Sequence, residues 1–327
     1  MGKLLKGIGI TILAIILVGV ALLFVMCGVA DNRNKNYWKY AKPYGEIEKT
    51  YTALGSYEVS IAEYNSNNSY KKYEVWYPTE MNSNSNKYPL VIMANGTGVK
   101  ASQYKEVFKH LASWGFIVAG NEDDNSRSGD SSSKTLDYLL QLNEDSNSVF
   151  YQKIDTDNIG IAGHSQGGVG AMNAVTEQAN GIKYKAIWTA STTSRCHADN
   201  LNKKDGGWTC YPNKINIPIM MVAGTGATDA GNLDHYTETV GKDEVQGICP
   251  KWWLEECFNE VINAPTKIIA REKDKDHGDM LRYADGYMTA WFMYHLKGQT
   301  SADFFAGETS ELMSNKNWQD VKVNSIS

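Results

Sequence analysis

The feature that most restricts what this chain can become is the pentapeptide Gly163-His164-Ser165-Gln166-Gly167. It lies between the apolar run Ile159-Gly160-Ile161-Ala162 and the small-residue segment Gly168-Val169-Gly170-Ala171-Met172. A strand, a tight turn and then a helix is the context in which a G-x-S-x-G serine sits exposed on a sharp, strained bend. Glycines two residues on either side let strand and helix approach without a clash. The helix that starts there aims its first N–H groups and its positive dipole end at the serine, where an oxyanion can be held. Ser165 is therefore the expected nucleophile. A chance glycine-rich turn is the competing reading, and both flanks argue against it.

A serine hydroxyl needs a base to take its proton and a third group to orient that base. In a strand–turn–helix arrangement of this kind the acid comes next in the chain and the histidine after it, each on a loop behind a later strand. Among the 6 histidines, His110 falls on an early helix, His164 within the turn and His295 in mid-helix. His197 precedes any suitable acid, and His235 is too near the acid loop to come from a separate strand. His277 remains, in a charged loop from Arg271 to Asp279. Asp229 follows the preceding apolar run and is the expected acid, with Asp234 as second choice; Asp276 adjoins His277 and is badly directed to orient that ring. For the oxyanion, the N–H of Gln166 is one expected donor and that of Thr97, in Asn95-Gly96-Thr97-Gly98, the other.

The remaining pattern suits an α/β fold with a mostly parallel central sheet and helices on both faces. Expected strands are Tyr57–Ala62, Tyr70–Tyr77, Leu90–Ala94, Phe116–Ala119, Ile159–Ala162, Tyr184–Thr189, Ile217–Ala223 and, last, Lys267–Ala270. Expected helices are Gln103–Trp114, Thr135–Asn143, the one after Ser165, and an amphipathic Tyr287–Leu296, with a long polar loop over Gly120–Ser133. Of the 327 residues 42% are hydrophobic and 21% charged, which fits one large domain over 56–327 behind a linker and lead-in at 31–55. A net charge of -5 gives no reason to expect nucleic acid. No metal-ligand spacing is present, and no cofactor is expected.

Residues 1–30 stand apart. Lys3 and Lys6 precede an uncharged, largely apolar run from Gly7 to Ala30, long enough to cross a bilayer, which takes about 20 residues. The expectation is an N-terminal transmembrane helix that anchors the protein to the membrane; secretion after signal cleavage is the alternative, since Gly28-Val29-Ala30 resembles a cleavage site. Four of the five cysteines fall as Cys196 with Cys210 and Cys249 with Cys257, expected to form disulfides and hence to place the domain outside the cytoplasm, although Arg33, Lys35, Lys39 and Lys42 behind the apolar run argue for the inside. An insertion over about 230–265 carries Trp252 and Trp253, expected either to line a substrate pocket or to pack the insertion onto the domain.

Together, Asn95-Gly96-Thr97-Gly98, Leu111-Ala112-Ser113-Trp114-Gly115-Phe116-Ile117-Val118, the Ser165 turn and His277 resemble the α/β-hydrolase superfamily. The nearest branch is that of cutinase-like polyester hydrolases, chlorophyllases and dienelactone hydrolases, over roughly Tyr70 to Gly298. The resemblance implies the α/β-hydrolase fold, with oxyanion donors at Thr97 and Gln166. Several polyester hydrolases have Met after the serine, an aromatic in the oxyanion loop and Trp after the sixth strand. Here Gln166, Thr97 and Ser191-Thr192-Thr193 stand at those places, which points away from a polyester. The expected activity is cleavage of a small or lipid-like carboxylic ester through an acyl-enzyme. An amide or thioester hydrolase and a non-catalytic surface-binding protein are the alternatives.

Overall fold

The computed structural model describes residues 30–195, 208–237, 239–301, 304–307 and 309–325. The expected transmembrane helix falls almost wholly outside them; among the described residues no helix is long and apolar enough to cross a membrane.

Among the described residues nine strands form one sheet: β1 (Val59–Asn65), β2 (Lys72–Pro78), β3 (Tyr88–Ala94), β4 (Ile117–Asn121), β5 (Ile154–His164), β6 (Tyr184–Ala190), β7 (Ile219–Gly224), β8 (Thr266–Glu272) and β9 (Trp318–Ser325). The order is β1-β2-β4-β3-β5-β6-β7-β8-β9. β3 to β8 pair parallel with their neighbours in the middle of the sheet, and the antiparallel pairings β1–β2, β2–β4 and β8–β9 lie towards its two edges. The helices used below are α1 (Glu46–Thr52), α2 (Lys105–Ser113), α3 (Asp130–Glu144), α4 (Gln166–Thr176), α5 (Lys251–Glu260) and α6 (Asp285–Phe292).

The apolar runs are continuous because both faces of the sheet are covered. Along β3, Val91 and Met93 join one core with Val107, Phe108 and Leu111 of α2 and Tyr287, Trp291 and Phe292 of α6. Leu90, Ile92 and Ala94 point the other way, into a second core with Leu136 and Leu139 of α3, Ala171 and Met172 of α4, and Trp253 and Leu254 of α5. The two-residue period of the strand separates the two cores.

Several expectations need correction. The long loop over Gly120–Ser133 is shorter, because β4 continues to Asn121 and α3 begins at Asp130. The closing helix is not amphipathic: every residue of α6 is buried, since α1 covers the side that solvent would otherwise reach. The lead-in is packed into the domain rather than left as a linker. Tyr37 is fully buried and its hydroxyl donates to Asp285 of α6. The strand ending at Glu272 is not the last, for β9 pairs along its edge. Cys249 and Cys257 are both buried free thiols, so the expected bridge between them is absent. Cys196 lies outside the described residues, and Cys210 is free.

Candidate active site

Every proposed group sits beyond the C-terminal end of a parallel strand, so they collect along one edge of the sheet: Thr97 after β3, Ser165 after β5, Asp229 after β7 and His277 after β8. That edge is where loops of an open α/β sheet build ligand sites.

The Ser165 turn is as sharp as its sequence suggests. Its backbone has φ 59 and ψ -124, an unusual conformation for a residue with a side chain. The flanking glycines are required by contact. A Cβ on Gly163 would lie 1.9 Å from the Gly167 carbonyl oxygen, and one on Gly167 would lie 2.1 Å from that of Ala94. Main-chain bonds hold the turn in place: Ser165 N–H donates to the Ala190 carbonyl at 3.0 Å, and the Ser165 carbonyl accepts from Gly168 N–H at 2.9 Å.

Asp229 and His277 meet directly. His277 Nδ1–H donates to Asp229 Oδ1 at 2.8 Å, which leaves Nε2 with its lone pair free to act as a base. The Asp229 carboxylate is fully buried within the one-turn helix Ala227–Ala230. Its other oxygen accepts from Ser191 Oγ–H at 2.5 Å and from Gly224 N–H at 2.8 Å. Asp234, the second choice, lies further along the chain, and the bond to His277 comes from Asp229.

The oxyanion candidates are also brought together. Gln166 opens α4, so its N–H is among those a helix start leaves without an intrahelical partner. Its side-chain Nε2–H donates to Thr97 Oγ at 3.2 Å, tying the loop after β3 to the start of the helix.

Two contributors escaped sequence reading. Ser191, just past β6, shows no local pattern that marks it as a partner of Asp229. His164 looked like filler within the turn, but its Nε2–H donates to the His277 carbonyl at 2.7 Å. Burial, and next the neighbouring His277, hold the His164 ring below its ordinary value, and its bond fixes the main chain at His277.

Trp252 and Trp253 are not brought to this site. Trp253 is 2% exposed and packs in the second core with Leu254 and Cys257. It borders a cleft of about 530 Å³ with Arg195, Trp208, Cys210 and Tyr211, which contains none of Ser165, Asp229 and His277. Trp252 stacks edge-on against Trp253 and Tyr236. Both tryptophans pack α5 onto the domain, which is the second of the two expectations, because α5 must bury a face against the sheet. Among the described residues no group of three or more His, Cys, Asp and Glu side chains could hold a metal.

A family model described as PET hydrolase-like matches residues 42–198. That stretch contains Thr97, Ser165 and Gln166, and ends before Asp229 and His277. No curated protein matches the chain.

Proposed function

We propose that this chain, which a PET hydrolase-like family model matches over residues 42–198, is an α/β hydrolase of that kind and a serine hydrolase cleaving a carboxylic ester. The observation that carries the proposal is the His277–Asp229 bond of 2.8 Å on the same sheet edge as the strained Ser165 turn. His277 Nε2 takes the hydroxyl proton as Ser165 Oγ attacks the ester carbonyl carbon. Asp229 holds the imidazole in the Nδ1–H tautomer and stabilises the imidazolium that forms. The N–H groups of Gln166 and Thr97 receive the tetrahedral oxyanion. His277 then gives its proton to the leaving alcohol, and the acyl group stays on Ser165. Water, deprotonated by His277, attacks that acyl-enzyme and releases the acid.

Gln166 and Thr97 make this part of the site polar, which favours a small ester over an aromatic polymer. Tethering to a membrane through the run from Gly7 to Ala30 is part of the proposal and rests on the sequence alone.

The test is fluorophosphonate labelling together with turnover of p-nitrophenyl butyrate. Wild-type protein is expected to be labelled and active. Ser165→Ala should lose labelling and several orders of magnitude in kcat while keeping its melting temperature. Undiminished turnover by Ser165→Ala would sink the proposal.

A further inference from the structure

We propose that Asp276 is a positioning residue, whose carboxylate clamps the acid-bearing and base-bearing loops together so that Asp229 and His277 meet in register. The inference rests on the serine-hydrolase reading above and names a fourth group for that site.

Asp276 does not touch the imidazole, whose Nδ1 belongs to Asp229. Its carboxylate instead holds the main chain of both partners. Oδ1 accepts from Asp229 N–H at 2.9 Å and from His277 N–H at 2.8 Å, and Oδ2 accepts from Thr228 N–H at 3.2 Å. The acid and the base thus hang from one oxygen of one side chain, although they lie on loops behind different strands. An ionised carboxylate is acceptor-only and offers about four lone-pair sites, so it can take all three donors. Such charge-assisted bonds are shorter and stronger than those between neutral groups. Burial opposes ionisation of Asp276, but the donations from His277, Thr228 and Asp229 outweigh it and hold the carboxyl below its usual value.

The clamp is itself fixed. Asp279 N–H donates to the Asp276 carbonyl at 2.8 Å, closing a turn just beyond His277. Gly226 N–H donates to the Lys275 carbonyl at 2.8 Å, and Asp274 N–H donates to Thr225 Oγ at 3.0 Å, so the two loops are laced side by side. On the far side of the acid, Ile248 N–H donates to the Thr228 carbonyl and Cys249 N–H to that of Asp229. These bonds bring the loops together; the Asp276 carboxylate sets how far each catalytic residue extends from them. A misplacement of about 1 Å between reacting groups costs on the order of 100-fold in rate.

Two variants test this. Asp276→Ala removes all three acceptor contacts. Asp276→Asn keeps an oxygen for Asp229 and His277 but turns an amide donor toward Thr228 N–H. With p-nitrophenyl butyrate, Asp276→Ala is expected to lose about 10- to 100-fold in kcat with KM within about twofold. Asp276→Asn should recover part of that loss, and fluorophosphonate labelling of Ser165 should slow in the same order. If Asp276→Ala does not fold, the kcat of folded Asp276→Asn decides, and a value within twofold of wild type overturns the clamp. So does an Asp276→Ala enzyme with wild-type kcat, or kcat losses that merely follow lowered melting temperatures with no recovery in Asp276→Asn. Wild-type protein that is neither labelled nor active would refute the hydrolase reading and this role with it. Active wild type beside unimpaired variants refutes the Asp276 role alone.

Discussion

Burying a carboxylate is costly unless donors replace the water it gives up. Asp229 is given three: His277 Nδ1–H, Ser191 Oγ–H and Gly224 N–H. Ser191 adopts φ 50, so the chain bends sharply beyond β6 as it delivers that hydroxyl. Hydrogen bonds to charged groups are worth roughly 1.5–3 kcal/mol, and an unmet acceptor costs a similar amount. Ser191→Ala should therefore lower kcat for p-nitrophenyl butyrate by about 10-fold, with KM nearly unchanged, because the acid is left less firmly held. A kcat equal to wild type would show that Gly224 and His277 suffice. Asp229 and His277 were legible because each follows an apolar run and the order of a triad is constrained. Ser191 was not, since a serine after a strand is among the commonest features of any loop, and its value lies in a direction the sequence does not encode.

At the scale of elements, α5 gives the sharpest contrast between expectation and structure. Trp253, Leu254, Cys257 and Val261 fall at helical spacing and all are buried, so the helix has one wet face and one packed on the sheet. Large aromatic truncations in a core cost about 3–5 kcal/mol. Trp253→Ala should thus lower the melting temperature markedly while leaving the ratio of kcat/KM between acetate and octanoate esters unchanged. A shift in that ratio without loss of stability would restore the tryptophan to the substrate. β9 was missed for a related reason. Its residues Val321 and Val323 are only half-buried and alternate with polar ones, a weak signal far from the apolar runs of the central sheet. Its pairing is supported by side chains on its neighbours: Arg271 on β8 bonds Asp320 at 2.9 Å, and Lys322 reaches Glu255 of α5 at 2.7 Å.

Across the whole molecule, the two ends of the domain close on each other. Glu48 of α1 accepts from Asn315 Nδ2–H at 2.9 Å and from Trp318 Nε1–H at 2.8 Å, while Glu311 accepts from the N–H groups of Ile47 and Glu48. Glu272, at the end of β8, lies beside this junction; it is 5% exposed and one of its oxygens has no hydrogen-bond partner. Burial, with the charge of Glu48 second, pushes its carboxyl from 4.5 up to about 8. An acid kept protonated by the fold contributes fully below its unfolded value, and that contribution is lost as pH rises from 4.5 through about 8. Glu272→Gln stays neutral at every pH. It should match wild type near pH 4.5 and exceed it by about 2–4 kcal/mol near pH 9, read as a higher melting temperature on the alkaline side. An equal gain at both pH values would assign the effect to packing instead.

The sequence by itself determined the parallel sheet, the Ser165 turn and the succession Ser165, Asp229, His277. These follow from local chemistry: continuous apolar runs for strands buried on both faces, glycines where backbones touch, and loops between them. Tertiary structure alone decided that α1 and β9 complete the domain, that Cys249 and Cys257 remain thiols, that Trp253 belongs to the core, and that Ser191, His164 and Asp276 bond to Asp229 and His277. Each of those outcomes depends on contacts between residues distant in the chain, or on the direction a side chain takes from a loop. Neither leaves a period or a motif in the sequence, because the energy that selects it comes from what the rest of the fold brings alongside.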